Sequence, residues 1–249
     1  MIETRTYRNS FNENRFTGFV VGYKDTDLWI GVDPASYCDD LKAFAEERIR
    51  AYRHELEKYL LTDPAFGKSH TPLKVKSDAP EIAIMMADKA GQAGIGPMGA
   101  VAGAFSEFIG KDIQKQFSIN ELVLENGGDL YMYLKEDLVL SVYAGTSPLS
   151  EKIGIRIPAS AAPLGVCTSA GTVGPSKSYG KADAVMVACE DTLLADSLAT
   201  ALGNQVKTGE DIGDVMKRAE KYTFVKSLLI ICGDKIGLCG SFEIQPIKA

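Results

Sequence analysis

The sequence predicts an α+β fold on three observations. Strands and helices come in blocks and do not alternate, successive strands in the middle of the chain are joined by connections too short for helical crossovers, and no repeat or linker interrupts the chain. A single domain spanning 1–249 is therefore expected. The 249 residues carry 27 basic and 33 acidic side chains, a formal charge of −6, with 45% hydrophobic and 24% charged residues. That balance supplies a substantial core and excludes a disordered chain. It also excludes nucleic acid as a partner on charge grounds, since phosphate affinity needs a basic stripe and no Lys/Arg block is present.

Taken in order, Arg15 to Gly22 and Leu28 to Val32 read as strands around the polar turn Lys24-Asp25-Thr26-Asp27. Asp33-Pro34-Ala35-Ser36 reads as a helix start, with a cap and an early proline. The apolar residues Leu41, Ala45, Ile49, Tyr52, Leu56 and Tyr59 then recur every three or four positions, which predicts a long amphipathic helix. Thr62 to Asp78 is polar and reads as a loop, and Pro80 to Ala90 fits helix and strand equally. From Gly94 the chain is small, apolar and nearly uncharged until Glu107, with a helix expected over Ala100 to Ile109. Strands follow at Glu121 to Leu124, Leu130 to Leu134, Leu138 to Tyr143 and Ile153 to Ile157, with neighbours antiparallel. A Ser/Thr/Gly-rich loop leads to a strand at Ala184 to Ala188, a helix from Thr192 to Asn204 and another near Asp211 to Lys221. Leu228 to Cys232, Lys235 to Cys239 and Phe242 to Pro246 complete the chain as short strands.

Five cysteines at wide spacings with no C-x-x-C pair, and two histidines, His54 and His70, form neither a zinc framework nor a disulfide lattice. Met1 to Thr6 lacks the apolar stretch of a signal peptide, and no run approaches the roughly 18 apolar residues of a membrane span. A cytoplasmic protein with reduced thiols and no membrane partner is expected.

Four segments bear on chemistry. Gly94-Ile95-Gly96-Pro97-Met98-Gly99 matches G-x-G-x-x-G, but a dinucleotide fingerprint needs a strand before it and a parallel βαβ unit around it. A glycine-rich turn into a helix is the plainer reading, and a helix start approached by small residues suits an anion. Asn126-Gly127-Gly128-Asp129 reads as a hairpin turn whose bare backbone also lets a ligand lie close. Leu164 to Lys181 combines hydroxyls, two lysines and four glycines, as a phosphate-cradling loop or a flexible surface loop would. It is not a Walker A loop, because Ala182 stands where Ser or Thr must hold magnesium.

The fourth segment is Leu193 to Asn204. At about 100° per residue Leu194, Leu198, Ala201 and Leu202 form a core stripe. Asp196 and Thr200 lie one turn apart on the opposite side, beside Ala199 and Gly203. Asp196 is the only charge between Leu193 and Val206, so this face is expected to be covered as well. A covered carboxylate needs a cation or a backbone amide, and a hard cation such as magnesium shared with the Thr200 hydroxyl satisfies both oxygens.

Asn126-Gly127-Gly128-Asp129, Thr168-Ser169-Ala170-Gly171, Ala184-Val185-Met186-Val187-Ala188 and Ala195 to Leu202 occur in the order and approximate spacing of the ApbE family, the FAD:protein FMN transferases formerly tied to thiamine biosynthesis. Pro97 to Gly103 is similar to that family's earlier helix-start motif, so the resemblance to ApbE proper covers about 97 to 204. The whole chain most resembles a branch of the superfamily, without an assigned activity, from archaea and anaerobic bacteria. The resemblance implies an ApbE-like fold with a mostly antiparallel sheet packed with helices. It implies magnesium held by Asp196, Thr200 and the carbonyl of Ala100, and a flavin nucleotide, FAD or FMN, lined by Gly99, Asn126, Gly127, Gly128, Asp129, Thr168, Ser169 and Gly171.

The activity implied is phosphoryl transfer that leaves FMN on an acceptor protein. No catalytic residue is assigned, and a homo-oligomer is compatible with the resemblance. Two departures stand out: Ala102 precedes Gly103 where the family has a Lys, and Ser176 to Lys181 replaces a His-containing stretch. They favour the alternative, a non-catalytic flavin or nucleotide-binding accessory protein, which such relatives associate with anaerobic sulfur or homocysteine metabolism.

Overall fold

The computed structural model describes residues 14–172 and 178–247. The part of the glycine-rich loop at 173–177, which includes Ser176 and Lys177, lies outside them.

Strands β1 (Thr17–Tyr23) and β2 (Thr26–Val32) form a hairpin and lead to α1 (Asp40–Thr62), α2 (Pro64–Lys68) and α3 (Glu81–Ala93). A 3-10 turn at Pro97–Ala100 feeds α4 (Val101–Gln116). Then come β3 (Leu122–Asn126), β4 (Asp129–Tyr133), β5 (Leu138–Ser141), β6 (Ile153–Ile157), β7 (Leu164–Ser169), β8 (Ala184–Cys189), α5 (Thr192–Gly203), α6 (Ile212–Ala219), β9 (Ser227–Cys232), β10 (Lys235–Gly240) and β11 (Glu243–Pro246).

Eight strands make one sheet in the order β1-β2-β3-β4-β7-β8-β9-β10, and β11-β6-β5 make a second. Every pairing among the described strands is antiparallel. Alternate side chains of the large sheet go to opposite cores, as the two-residue strand period requires. Leu122, Leu124 and Tyr131 join α1, α3 and α4, and Cys167, Val185 and Val187 join α5. Val123, Met132, Val166 and Met186 face away and pack with Leu138, Ile155 and Ile157 of the small sheet. The fold is thus a helical layer, a broad sheet and a partial second sheet, an α+β architecture of the expected kind.

Four expectations are corrected. The first long helix starts at Asp40, not at Asp33. Asp33 instead accepts from the Ser36 amide at 3.2 Å and from the Asn120 and Glu121 amides at 3.2 and 3.0 Å, so it staples a turn to the start of β3. Within the expected loop at Thr62 to Asp78 stands the short helix α2, where Pro64 starts a turn and Phe66 is buried. Consecutive β4 and β5 are not neighbours: β4 pairs with β7 and β5 crosses to the small sheet. Finally, Leu164 to Ser169, expected as loop, is the buried strand β7. The ambiguity at 80–90 resolves as helix α3, whose Ile82, Ala83, Met86, Ala87 and Ala90 face the core.

Two faces of the glycine-rich segment settle its reading. A helix precedes it, and Gly94 is the left-handed residue that ends α3 at φ 79. With no strand before it and no parallel pair around it, the dinucleotide reading has no scaffold.

Candidate functional site

The centre of the molecule is the crossing of α4 and α5. A Cβ on Gly103 would lie 2.6 Å from the Thr192 carbonyl oxygen and 2.9 Å from Asp196 Cβ, so only glycine lets the two backbones approach this closely. Each helix then caps the other. Asp196 Oδ2 accepts from the Gly103 amide at 2.9 Å. Gly103 is the third residue of α4, where an amide has no acceptor within the helix, and Ala100 at the cap position offers no side-chain bond. Glu107 Oε2 in turn accepts from the Thr192 amide, the first of α5, at 2.5 Å. Both carboxylates are buried against positive helix ends. Asp196 therefore does satisfy a main-chain donor, one of the two roles its sequence position allows.

Capping accounts for one oxygen of Asp196 but not for the company it keeps. Asp129, at the start of β4, is near enough to feel its charge, and each acid is only 8% exposed. Burial, and then the Asp196 charge, push the Asp129 carboxyl well above the ordinary range, against the Cys167 thiol and Thr168 amide that favour ionisation. Burial lifts Asp196 to about 7, with the Gly103 amide pulling the other way. Cys167 sits directly opposite Asp129 in the β4–β7 register, and burial followed by the two aspartates raises its thiol as well. No ion pair to either aspartate forms among the described residues. Two acids of like charge sharing a dry site stay ionised together only if a cation joins them.

The expected site residues lie on the elements that meet here, apart from Gly171. Thr200, one turn beyond Asp196, is the one residue of α5 that is not buried. Its methyl lies 4.0 Å from where a Cβ on Gly99 would stand, so the 3-10 turn runs beside it. Ala100, buried, opens α4. Asn126 donates its side-chain amide to the Ala102 carbonyl at 3.1 Å, which ties the end of β3 to the first turn of α4. Gly127 and Gly128, at φ 67 and 104, make the hairpin, and the Gly128 carbonyl accepts the Thr168 amide at 3.1 Å. Ser169 Oγ is 3.6 Å from the Cβ position of Gly203, so β7 ends at the C-terminal turn of α5. Gly171 lies farther out and exposed, its amide bound to the Ala182 carbonyl at 2.8 Å.

Among the described residues no three His, Cys, Asp or Glu side chains converge as metal ligands. The two carboxylates, with Thr200 one turn beyond Asp196, offer oxygen donors of the kind that suits a hard divalent cation such as magnesium, beside the Cys167 thiol that burial keeps protonated. Sequence reading placed Asp129 beside a flavin and not near Asp196, saw Gly103 only as part of a helix-start motif, and gave Glu107 no role. The visible signal for Glu107 was its place as the charge that ends a long uncharged run.

Comparison with known proteins follows the same lines. The family model described as AbpE bacteria matches residues 8–223. A UPF0280 protein of Methanocaldococcus jannaschii is 35% identical over 222 residues, covering 87% of this chain and 88% of that one. One from Methanosarcina acetivorans is 39% identical over 218 residues, covering 87% and 84%. Among solved structures, the apo form of the flavinyl transferase ApbE of Pseudomonas stutzeri superposes with a TM-score of 0.54 at 12% identity, covering 91% of this chain and 94% of that one. The ApbE protein of Thermotoga maritima does so with a TM-score of 0.53 at 15% identity, covering 92% and 96%. At such identities the likeness is one of fold.

Proposed function

Because the chain belongs to the ApbE-like family of the AbpE bacteria model and the archaeal UPF0280 proteins, we propose that it binds a flavin nucleotide with magnesium at the α4–α5 junction, as one domain spanning 1–249. The observation that carries this reading is the burial of Asp129 within reach of the Asp196 charge, two acids with no basic partner among the described residues. Asp196, the Thr200 hydroxyl and the Ala100 carbonyl would hold the ion, with Asp129 adding charge from the sheet side. Bound there, magnesium supplies positive charge to the diphosphate of FAD.

The protein's own residues do the positioning. Gly103 orients Asp196 through its amide, and Asn126 locks the β3–β4 hairpin to α4. Gly127 and Gly128 leave bare backbone for a ligand, with the Thr168 and Ser169 hydroxyls at the end of β7. This is support for a diphosphate site, and the transfer of FMN to an acceptor protein is the reaction that the solved ApbE relatives, one of them named a flavinyl transferase, suggest for it.

A specific observation favours a second reading, a flavin carrier without transfer chemistry. Where the family has Lys, Ala102 offers only its carbonyl, already taken by the Asn126 amide and the Ser106 hydroxyl. Incubation with FAD, magnesium and a Ser/Thr-bearing acceptor protein separates the two. Release of AMP with FMN left on the acceptor is the expected outcome. FAD held but uncleaved would establish the carrier.

A further inference from the structure

The two sheets have four edges among the described strands: β1 and β10 on the large sheet, β5 and β11 on the small one. An edge strand presents a row of unpaired N–H and C=O groups, and proteins blunt it with charge, proline or shortness. Three of these edges are blunted. β10 opens with Lys235, β11 carries Glu243 and Pro246, and β5 is four residues long. β1 has none of these devices, since its seven residues, Thr17-Gly18-Phe19-Val20-Val21-Gly22-Tyr23, include no charge and no proline.

The strand is also complementary to itself. Phe19, Val21 and Tyr23 pack on the α1 side, whereas Gly18, Val20 and Gly22 line the other face and are exposed, Val20 at 50%. The two glycines stand symmetrically about Val20. Turned antiparallel on itself about that residue, the strand sets Thr17 opposite Tyr23 and glycine opposite glycine, so no side chain crowds the two central valines. A single patch then serves both partners, as a two-fold contact requires.

Charge along this edge favours the same partner. At the Thr17 end Tyr37 meets Phe19 with ring centroids 6.1 Å apart, and Asp39 and Asp40 follow at the start of α1. At the Tyr23 end the Arg50 guanidinium lies 4.2 Å and the Lys24 ammonium 5.5 Å from the Tyr23 ring. Lys24 is taken by Glu57 at 2.6 Å, while Arg50, Asp39 and Asp40 are exposed. A two-fold axis at Val20 turns the acidic end of each copy toward the basic end of the other, which selects a second copy over an unrelated strand.

We propose that the chain forms a two-fold dimer by antiparallel pairing of β1 with β1 of a second copy, centred on Val20, so that the two eight-stranded sheets become one.

The test is sedimentation velocity, at tens of micromolar protein, on wild type, Val20→Lys, Val20→Glu, an equal mixture of those two variants, and Ile236→Lys on the exposed edge β10. Wild type should be dimeric. Each Val20 variant sets like charges against each other at the axis and should weaken the dimer at least about tenfold. The mixture should recover it, because Lys then meets Glu, and Ile236→Lys should leave it intact. A monomeric wild type, a dimer that survives both Val20 variants, a mixture no tighter than its components, or equal loss with Ile236→Lys would overturn the proposal. Val20 is exposed in the single chain, so both variants are expected to fold, and unchanged circular dichroism checks this. Amide exchange on wild type needs no variant: protection of residues 17–23 should rise with protein concentration, and protection independent of concentration would contradict the pairing.

Discussion

In magnesium-free buffer at pH 8, Asp196→Asn is expected to be more stable than the wild type. The carboxyl titrates near 3.8 when unfolded and is raised to about 7 in the folded protein. A raised folded value means that stability is fully present below the unfolded value and is lost as pH rises through about 7. At roughly 1.4 kcal/mol per unit, the shift corresponds to an upper bound of about 4 kcal/mol. Asparagine keeps an oxygen for the Gly103 amide and carries no charge to desolvate, so it removes the cost of burial without breaking the cap. Denaturant titrations should therefore show the variant ahead at pH 8 and level with wild type at pH 4. Saturating magnesium should reverse the order at pH 8, since a cation that binds only the native wild type stabilises it by mass action. A variant that is less stable at pH 8 without metal would mean that Asp196 is a cap and nothing more.

Gly103→Ala is the second large effect. In an exposed helix this change gains about 1 kcal/mol of helix propensity. Here the new Cβ would stand 2.6 Å from the Thr192 carbonyl oxygen, a backbone atom that cannot swing away. Overpacking of that kind costs about 1–3 kcal/mol and forces α4 off α5. The Gly103–Asp196 bond then lengthens, so magnesium affinity should fall along with melting temperature. Gly91→Ala in α3 is the control, because nothing lies within 4 Å of its Cβ position. It should raise stability by up to about 1 kcal/mol. Equal behaviour of the two variants in thermal melts would show that the close crossing is not what Gly103 provides.

The sequence made the helix of the site legible because its pattern is local. A core stripe through Leu194, Leu198 and Leu202, with one charge on a small-residue back face, is visible within a dozen positions, and the structure buries both faces except at Thr200. The ends of β3 and β4 were readable for the same reason, since Asn126-Gly127-Gly128-Asp129 encodes its hairpin in its own glycines. What escaped was everything set by distance along the chain. Asp129 comes within reach of the Asp196 charge across 67 positions, and Glu107 reaches Thr192 across 85. No periodicity encodes such pairs. Strand β7 escaped because its second half, Thr168 and Ser169, shares the small polar composition of the loop beyond it, while Leu164 to Cys167 are buried in the sheet. Asp33 misled because a cap residue before a proline serves a turn as well as a helix, and the deciding partners, the Asn120 and Glu121 amides, lie 87 and 88 positions away.

The most direct test is the affinity of the purified full-length protein for FAD, measured with and without magnesium in wild type and Asp196→Ala. The expected result is tight binding by wild type only when magnesium is present, and a loss of at least about a hundredfold in the variant, which magnesium does not restore. Equal affinity in all four conditions would contradict a metal-bridged diphosphate at the α4–α5 junction.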